Sequence, residues 1–176
     1  MRAVLIRPEQ PADHDRVSDV HRRAFGQHGE HVVVPLLTDL RRSLATEQGL
    51  SLVACMDGEV IGHVLFTRSL LDAAPRLVDV QVLSPIAVHP DHQRRGVGAA
   101  LVERGVPAVF LEGDPAYYRR AGFVAAGELG FRRPSLRIPG AAFQVRLLGA
   151  HEPWMTGTLV YRQTFWDHDA VGLRGP

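Results

Sequence analysis

Three apolar runs follow one another between Leu50 and Val88, and the first two, residues 50–56 and 60–66, are separated only by Asp57-Gly58-Glu59. Asp-Gly between apolar runs marks a tight hairpin, because the turn that matches strand twist needs positive φ at both central residues. The third run, residues 77–88, alternates Val78, Val80 and Val82 against Asp79 and Gln81, which is the two-residue period of a strand with one face on a core. The pattern predicts an antiparallel meander. The next stretch changes the topology: a turn with two glycines, a short helix over residues 96–104, and the continuous apolar run 106–111, which suits a strand buried on both faces. Strand, helix and strand in that order make a crossover, and a crossover produces a parallel pair.

Upstream, residues 4–7 read as a short first strand. Residues 11–25 place Val17, Val20, His21 and Ala24 at helical spacing, and residues 30–44 repeat the pattern through Val33, Leu36, Leu37 and Leu40, with Pro35 expected to kink or delay the second helix. Downstream, Asp114-Pro115 pairs a capping residue with proline at the first helical position, and Gly122 ends that helix. Residues 142–148 and 156–165 read as further strands. No repeat, low-complexity tract or linker interrupts the 176 residues, 45% of them hydrophobic. The expectation is a single α/β domain of the α+β kind over residues 1–166, with a frayed tail over 167–176.

Composition excludes several functions. Twenty basic and 19 acidic residues leave a formal net charge of +1, scattered along the chain, without the basic stripe that nucleic acid or an anionic membrane requires. Every basic residue is arginine, so a Walker-type phosphate loop, which needs its lysine, is ruled out. Cys55 stands alone and permits neither an intramolecular disulfide nor a thiolate cluster. The first residues carry too short an apolar run for a signal peptide, and no stretch approaches the roughly 18 apolar residues of a membrane span. The expected setting is therefore cytoplasmic. His28 with His31, and His89 with His92, lack a third ligand at a recognisable spacing, so no metal is expected. Cys55 reads as a small buried hydrophobe and His63 as a satisfied strand histidine.

Most of the chemical content lies in Ile86-Ala87-Val88-His89-Pro90-Asp91-His92-Gln93-Arg94-Arg95-Gly96-Val97-Gly98-Ala99-Ala100-Leu101. Glycines let a backbone approach its ligand closely, and the N–H groups of such a turn and of a helix start favour phosphate oxygens. Arg94 and Arg95 add full charges at the same place. A dinucleotide fold is excluded, because Leu101 stands where its third small residue belongs and the preceding strand is part of a meander.

Here the sequence resembles the GNAT N-acetyltransferase superfamily, whose phosphate-binding signature Gln/Arg-x-x-Gly-x-Gly/Ala is matched by Gln93-Arg94-Arg95-Gly96-Val97-Gly98. A second match, Gly113-Asp114-Pro115-Ala116-Tyr117-Tyr118-Arg119-Arg120-Ala121-Gly122-Phe123, resembles the YhbS-like branch, whose Tyr-x-x-x-Gly-Phe helix adjoins the acyl-CoA sulfur. Ala142-Phe143-Gln144-Val145 and Val160-Tyr161-Arg162-Gln163-Thr164-Phe165 resemble the same branch, so the likeness covers nearly the whole chain. The helix after Gly98 is about two turns shorter than that branch's pattern, taking about 3.6 residues per turn.

The resemblance implies a mixed, mostly antiparallel sheet flanked by helices, with a splayed parallel strand pair holding acyl-CoA. Acetyl-CoA would be the cosubstrate, its pyrophosphate on Gln93, Arg94, Arg95, Gly96, Val97, Gly98 and Ala99. Pantetheine would meet main-chain groups of Ile86, Ala87 and Val88, a form of strand addition that Pro85 at a broken ladder would suit. Asp114 and Tyr117 would complete the cosubstrate contacts. Acyl transfer to an amine needs a deprotonated nucleophile, a donor for the oxyanion and an acid for the leaving thiolate. Tyr118 is the candidate acid and Glu112 the candidate base, directly or through water, with Asp79, Gln81 and Ser84 as weaker alternatives. The acceptor would be an amine of a small molecule, a peptide or a protein, and a homodimer is among the assemblies the resemblance allows. The rival functions are a catalytically silent acyl-CoA sensor and a module that uses the fold without the cofactor.

Overall fold

The computed structural model of the chain describes residues 3–44, 49–93 and 107–173. They form two compact units, Met1–Thr67 with Ser84–Arg104 and Arg68–Leu83 with Gly105–Pro176.

In the first unit, β1 (Leu5–Pro8) lies antiparallel to β2 (Leu50–Met56), which lies antiparallel to the first half of β3 (Glu59–Ala73). Met56 faces Glu59, so the connecting loop is Asp57-Gly58 alone, with φ of 52° and 85°. That is the double positive φ the dipeptide predicts. The early helices also form: a single 3-10 turn, Pro11–Asp13, leads into α1 (His14–His28), and after one wide turn, Gly29–Val33, α2 runs from Val34 to Leu44. Pro35 is the second residue of α2, directly after the wide turn, so the proline sits where the helix begins and does not break it. Val17, Val20, Leu36, Leu37 and Leu40 are buried with Leu52, Val53, Val64 and Phe66 as the core of this unit.

In the second unit, β3 continues to Ala73, well past the predicted end at residue 66, because Leu70–Ala73 pair with β8 (Gly157–Val160). β4 (Leu77–Val88) carries the unit's parallel pairs, Gln81 with Val109 and Val82 with Phe110 of β5 (Ala108–Glu112). β5 is antiparallel to β7 (Phe143–Leu147), which also takes the two-residue β6 (Val124–Ala125). The core here is aromatic: Phe110 meets the edge of Phe131 at 5.1 Å and stacks on Phe143 at 5.7 Å. The strand order is β1-β2-β3-β4-β5-β7-β6 with β8 on β3, a mixed sheet in which β4 and β5 form a parallel pair.

Two expectations need correction. The predicted strand over 156–165 stops at Val160, and residues Gln163–Asp167 form a short helix, with Phe165 buried. The tail is not frayed from 167: Val171 is fully buried, and the Leu173 N–H donates to the Arg137 carbonyl at 3.1 Å. A short apolar segment that finds a core outweighs the general looseness of chain ends. The predicted helix over 96–104 lies outside the described residues. No helix among the described residues is long and apolar enough to cross a membrane.

Candidate functional site

β4 ends in Ile86, Ala87 and Val88, all buried, after the cis peptide bond between Ser84 and Pro85. The chain then turns through His89 and the 3-10 turn Pro90–His92. The turn is secured at both ends: the His89 N–H donates to the Ile61 carbonyl at 2.8 Å, and Gln93 Nε2 donates to the Val88 carbonyl at 3.0 Å. Gln93 therefore ties the start of the signature back to the strand that precedes it. Arg94, Arg95, Gly96, Val97, Gly98 and Ala99 lie outside the described residues.

Downstream, the predicted cap is present. Asp114 Oδ1 accepts the Ala116 N–H at 2.9 Å and opens α3 (Pro115–Tyr118), so the carboxylate named as a cosubstrate contact has a structural partner. A 3-10 turn, Arg119–Ala121, comes next and ends at Gly122, whose φ of 79° is the left-handed conformation glycine adopts without strain. Arg146 donates to the Ala121 carbonyl at 3.1 Å and closes that end. Tyr117 is half exposed, whereas Tyr118 tucks under it, with ring centroids 4.9 Å apart and edge to face. Burial, with Tyr117 and Asp114 adding to it, holds the Tyr118 phenol well above the ordinary tyrosine range. Its hydroxyl has no hydrogen-bond partner among the described residues. A phenol that keeps its proton and has no competing acceptor is in the state a proton donor requires.

Glu112, the candidate base, closes β5 in a different setting. Its carboxylate accepts the Gly172 N–H at 2.9 Å and a hydrogen bond from Tyr161, and burial raises its proton affinity against both. It tethers the C-terminal segment to the strand end. The weaker candidates are dispersed: Asp79 pairs with Arg68 on an exposed strand face, and Gln81 is buried with its Oε1 unpartnered among the described residues.

The sequence reading missed one cluster in the first unit. Arg41 of α2 donates to Glu9 through Nε at 3.2 Å and through a second, shorter bond, and Ser51 Oγ donates to Glu9 at 2.5 Å. His63 Nε2 lies 2.8 Å from Ser51 Oγ, and His21 Nε2 lies 2.9 Å from His63 Nδ1. Donor counting fixes the direction of the chain. Ser51 spends its proton on Glu9, so it accepts from His63 Nε2–H. His63 Nδ1 must then accept from His21 Nε2–H. His21 Nδ1 is left as a buried lone pair without a partner among the described residues. Burial pulls both histidines below their ordinary pKa, and the bonds to Glu9 hold its carboxyl well below the carboxylate range despite burial. His63 is thus the satisfied strand histidine the sequence suggests. Two of the residues around it, His21 and Glu9, lie 42 and 54 positions away along the chain, and no local pattern joins them. Among the described residues no three histidine, cysteine, aspartate or glutamate side chains converge as metal ligands.

Residues 47–125, from β2 through the Gly122 turn to β6, match the profile of the Acetyltransferase (GNAT) domain. The chain is 35% identical over 177 aligned positions to YhbS of Escherichia coli K12, named as an uncharacterized N-acetyltransferase, covering 92% of this chain and 98% of that one. The crystal structure of Escherichia coli YhbS in complex with CoA superposes with a TM-score of 0.78 at 30% identity, covering 94% and 93% of the two chains. A GNAT family acetyltransferase from Brucella melitensis, solved with acetyl-CoA, gives 0.67 at 28%, covering 94% and 99%. Sheet order, signature sequence and Tyr-x-x-x-Gly-Phe segment thus occur together in a chain that aligns over 92% of its length with such a relative, and the chain belongs to the GNAT family of N-acetyltransferases.

Proposed function

We propose that this chain moves an acetyl group from acetyl-CoA to a primary amine, which attacks directly within a ternary complex. The observation that carries the reading is that the chain keeps Gln93-Arg94-Arg95-Gly96-Val97-Gly98 while matching, over 94% of its length, acetyltransferase structures solved with CoA and with acetyl-CoA. Bound acetyl-CoA supplies the thioester carbonyl that the amine attacks. Residues 93–99 hold its pyrophosphate through turn N–H groups and the two guanidinium groups. Ile86, Ala87 and Val88 offer main-chain groups to pantetheine, a reading supported by the likeness to acetyltransferases solved with CoA and with acetyl-CoA. Tyr117 adds an exposed ring to the cosubstrate contacts. Tyr118 gives its proton to the departing thiolate. The acceptor is an amine of a small molecule, a peptide or a protein, the setting is the cytoplasm, and residues 1–166 act as one acyltransferase domain, with a homodimer as the assembly to test.

Thiol release from acetyl-CoA in the presence of a panel of amines tests the activity directly. Binding of acetyl-CoA without release for any amine would leave a silent sensor. Gly98→Glu puts bulk and negative charge into the turn. CoA affinity should fall by at least about tenfold, the equivalent of losing one charge-assisted bond. An affinity within threefold of the parent would remove the turn from the site.

Glu112 remains the candidate to accept the ammonium proton through water, and the bonds it already accepts argue for a tether instead. Glu112→Gln separates the two roles. The expected result is a lower melting temperature with the acidic limb of the turnover profile unchanged for a simple amine. Loss of that limb would establish Glu112 as the base.

A further inference from the structure

Gly113 stands between the end of β5 and the Asp114 cap. A Cβ built on it would lie 2.3 Å from Cε2, 3.0 Å from Cδ2 and 3.4 Å from Cζ of Tyr118, so the phenol ring lies across the bare Cα of Gly113. The backbone beneath the ring is fixed on both sides. The Gly113 N–H donates to the Ala142 carbonyl at 3.0 Å, and the Gly113 carbonyl accepts from Gln144 Nε2 at 2.9 Å. Gln144 is itself buried on β7. The ring is also met edge-on by Tyr117 and by Phe123, with centroids at 4.9 and 5.8 Å. Gly113 is not among the glycines with positive φ. Its backbone would therefore admit alanine, and the ring is what a methyl group would disturb.

We propose that Gly113 is a positioning residue for acetyl transfer: its missing side chain seats the Tyr118 phenol, and Gln144 holds the seat in place. The inference rests on the reading of Tyr118 as the proton donor. A methyl group there must push the ring by about 1 Å to reach ordinary contact, and displacements of that size can cost on the order of a hundredfold in rate. Tyr118 is half-buried rather than enclosed in the core, and melting temperature read alongside turnover separates a shifted ring from a damaged fold.

The test places Gly113→Ala in the parent and in Tyr118→Phe, with Gly127→Ala as the control, since a Cβ there meets nothing within 4 Å. Gly113→Ala should lower kcat at least about tenfold with KM for acetyl-CoA within twofold, and should add less than about a twofold loss when combined with Tyr118→Phe. Gly127→Ala should keep parent turnover. An ultraviolet titration reads the seat independently of catalysis. The Tyr118 phenol, assigned by its loss in Tyr118→Phe, should titrate lower in Gly113→Ala as the ring turns toward water. An unchanged titration overturns the proposal, and so does a Gly113→Ala loss that is as large in the Tyr118→Phe background as in the parent. Should Tyr118→Phe by itself leave turnover unchanged, the proton-donor reading fails instead, and the phenol titration alone decides whether Gly113 seats the ring.

Discussion

Tyr118→Phe should lower turnover at least tenfold, and by up to the full contribution of a general acid, about 100-fold to 10,000-fold. The substitution removes only the hydroxyl. The ring keeps its contacts with Gly113, Tyr117 and Phe123, so affinity for acetyl-CoA and melting temperature should stay at parent values. No hydrogen bond is broken among the described residues, which removes the usual structural explanation for a lost tyrosine hydroxyl. Burial holds the phenol protonated across the physiological range, and the basic limb of the parent profile should not reflect Tyr118 below the ordinary tyrosine pKa. Turnover within a factor of two of the parent would end the assignment, and loss of folding would show that the hydroxyl serves packing.

Glu9→Gln should be the most damaging single substitution for the stability of the first unit. Glu9 and Arg41 have side-chain exposures of only 4% and 12%. Neutralising the carboxylate leaves the guanidinium buried without a counter-charge, which typically costs about 3–5 kcal/mol. For a chain of this size that lowers the melting temperature by roughly 10 °C. Replacing both members by methionine should recover much of the loss, because two apolar groups need no partners. A cost near the ~1 kcal/mol of a surface ion pair would show that water reaches the pair.

Acid should weaken the same cluster. His21 and His63 have folded pKa values below the ordinary histidine value of about 6.5. The unfolded chain therefore binds more protons than the folded one below that pH. Stability is full above about pH 6.5 and falls as pH drops through it, by up to about 1.4 kcal/mol per pH unit for each histidine. The lowered Glu9 carboxyl adds a further loss once pH falls below its ordinary value of about 4.5. Chemical denaturation at about pH 7.5 and about pH 5.5 measures this, and His63→Gln should flatten the difference.

Local chemistry made much of the architecture legible along the chain. Asp57-Gly58 specified the hairpin because few dipeptides tolerate two positive φ values, and the Asp114-Pro115 cap and Gly122 stop are equally local. The family signature was legible because phosphate binding by a turn needs a short run of fixed residue types. The helix at Gln163–Asp167 was misread as strand because a five-residue segment carries too little periodicity to separate the two. The ordered tail was missed because its order comes from partners far away in sequence: Gly172 reaches Glu112 and Leu173 reaches Arg137.

The first hairpin, the parallel strand pair, the capped tyrosine helix and the class of cosubstrate each depend on residues within short runs of the chain, so residue order was enough to specify them. Which polar groups are engaged and which are open was settled by packing in three dimensions. Packing gave Glu112 to the C-terminal segment and left the Tyr118 hydroxyl without a partner among the described residues. It also laid that ring on Gly113 and joined Glu9, Arg41, Ser51, His63 and His21 into one hydrogen-bonded chain. Those outcomes turn on distances of a few ångströms between residues up to 60 positions apart, and such separations are set by how the elements pack rather than by any pattern along the chain.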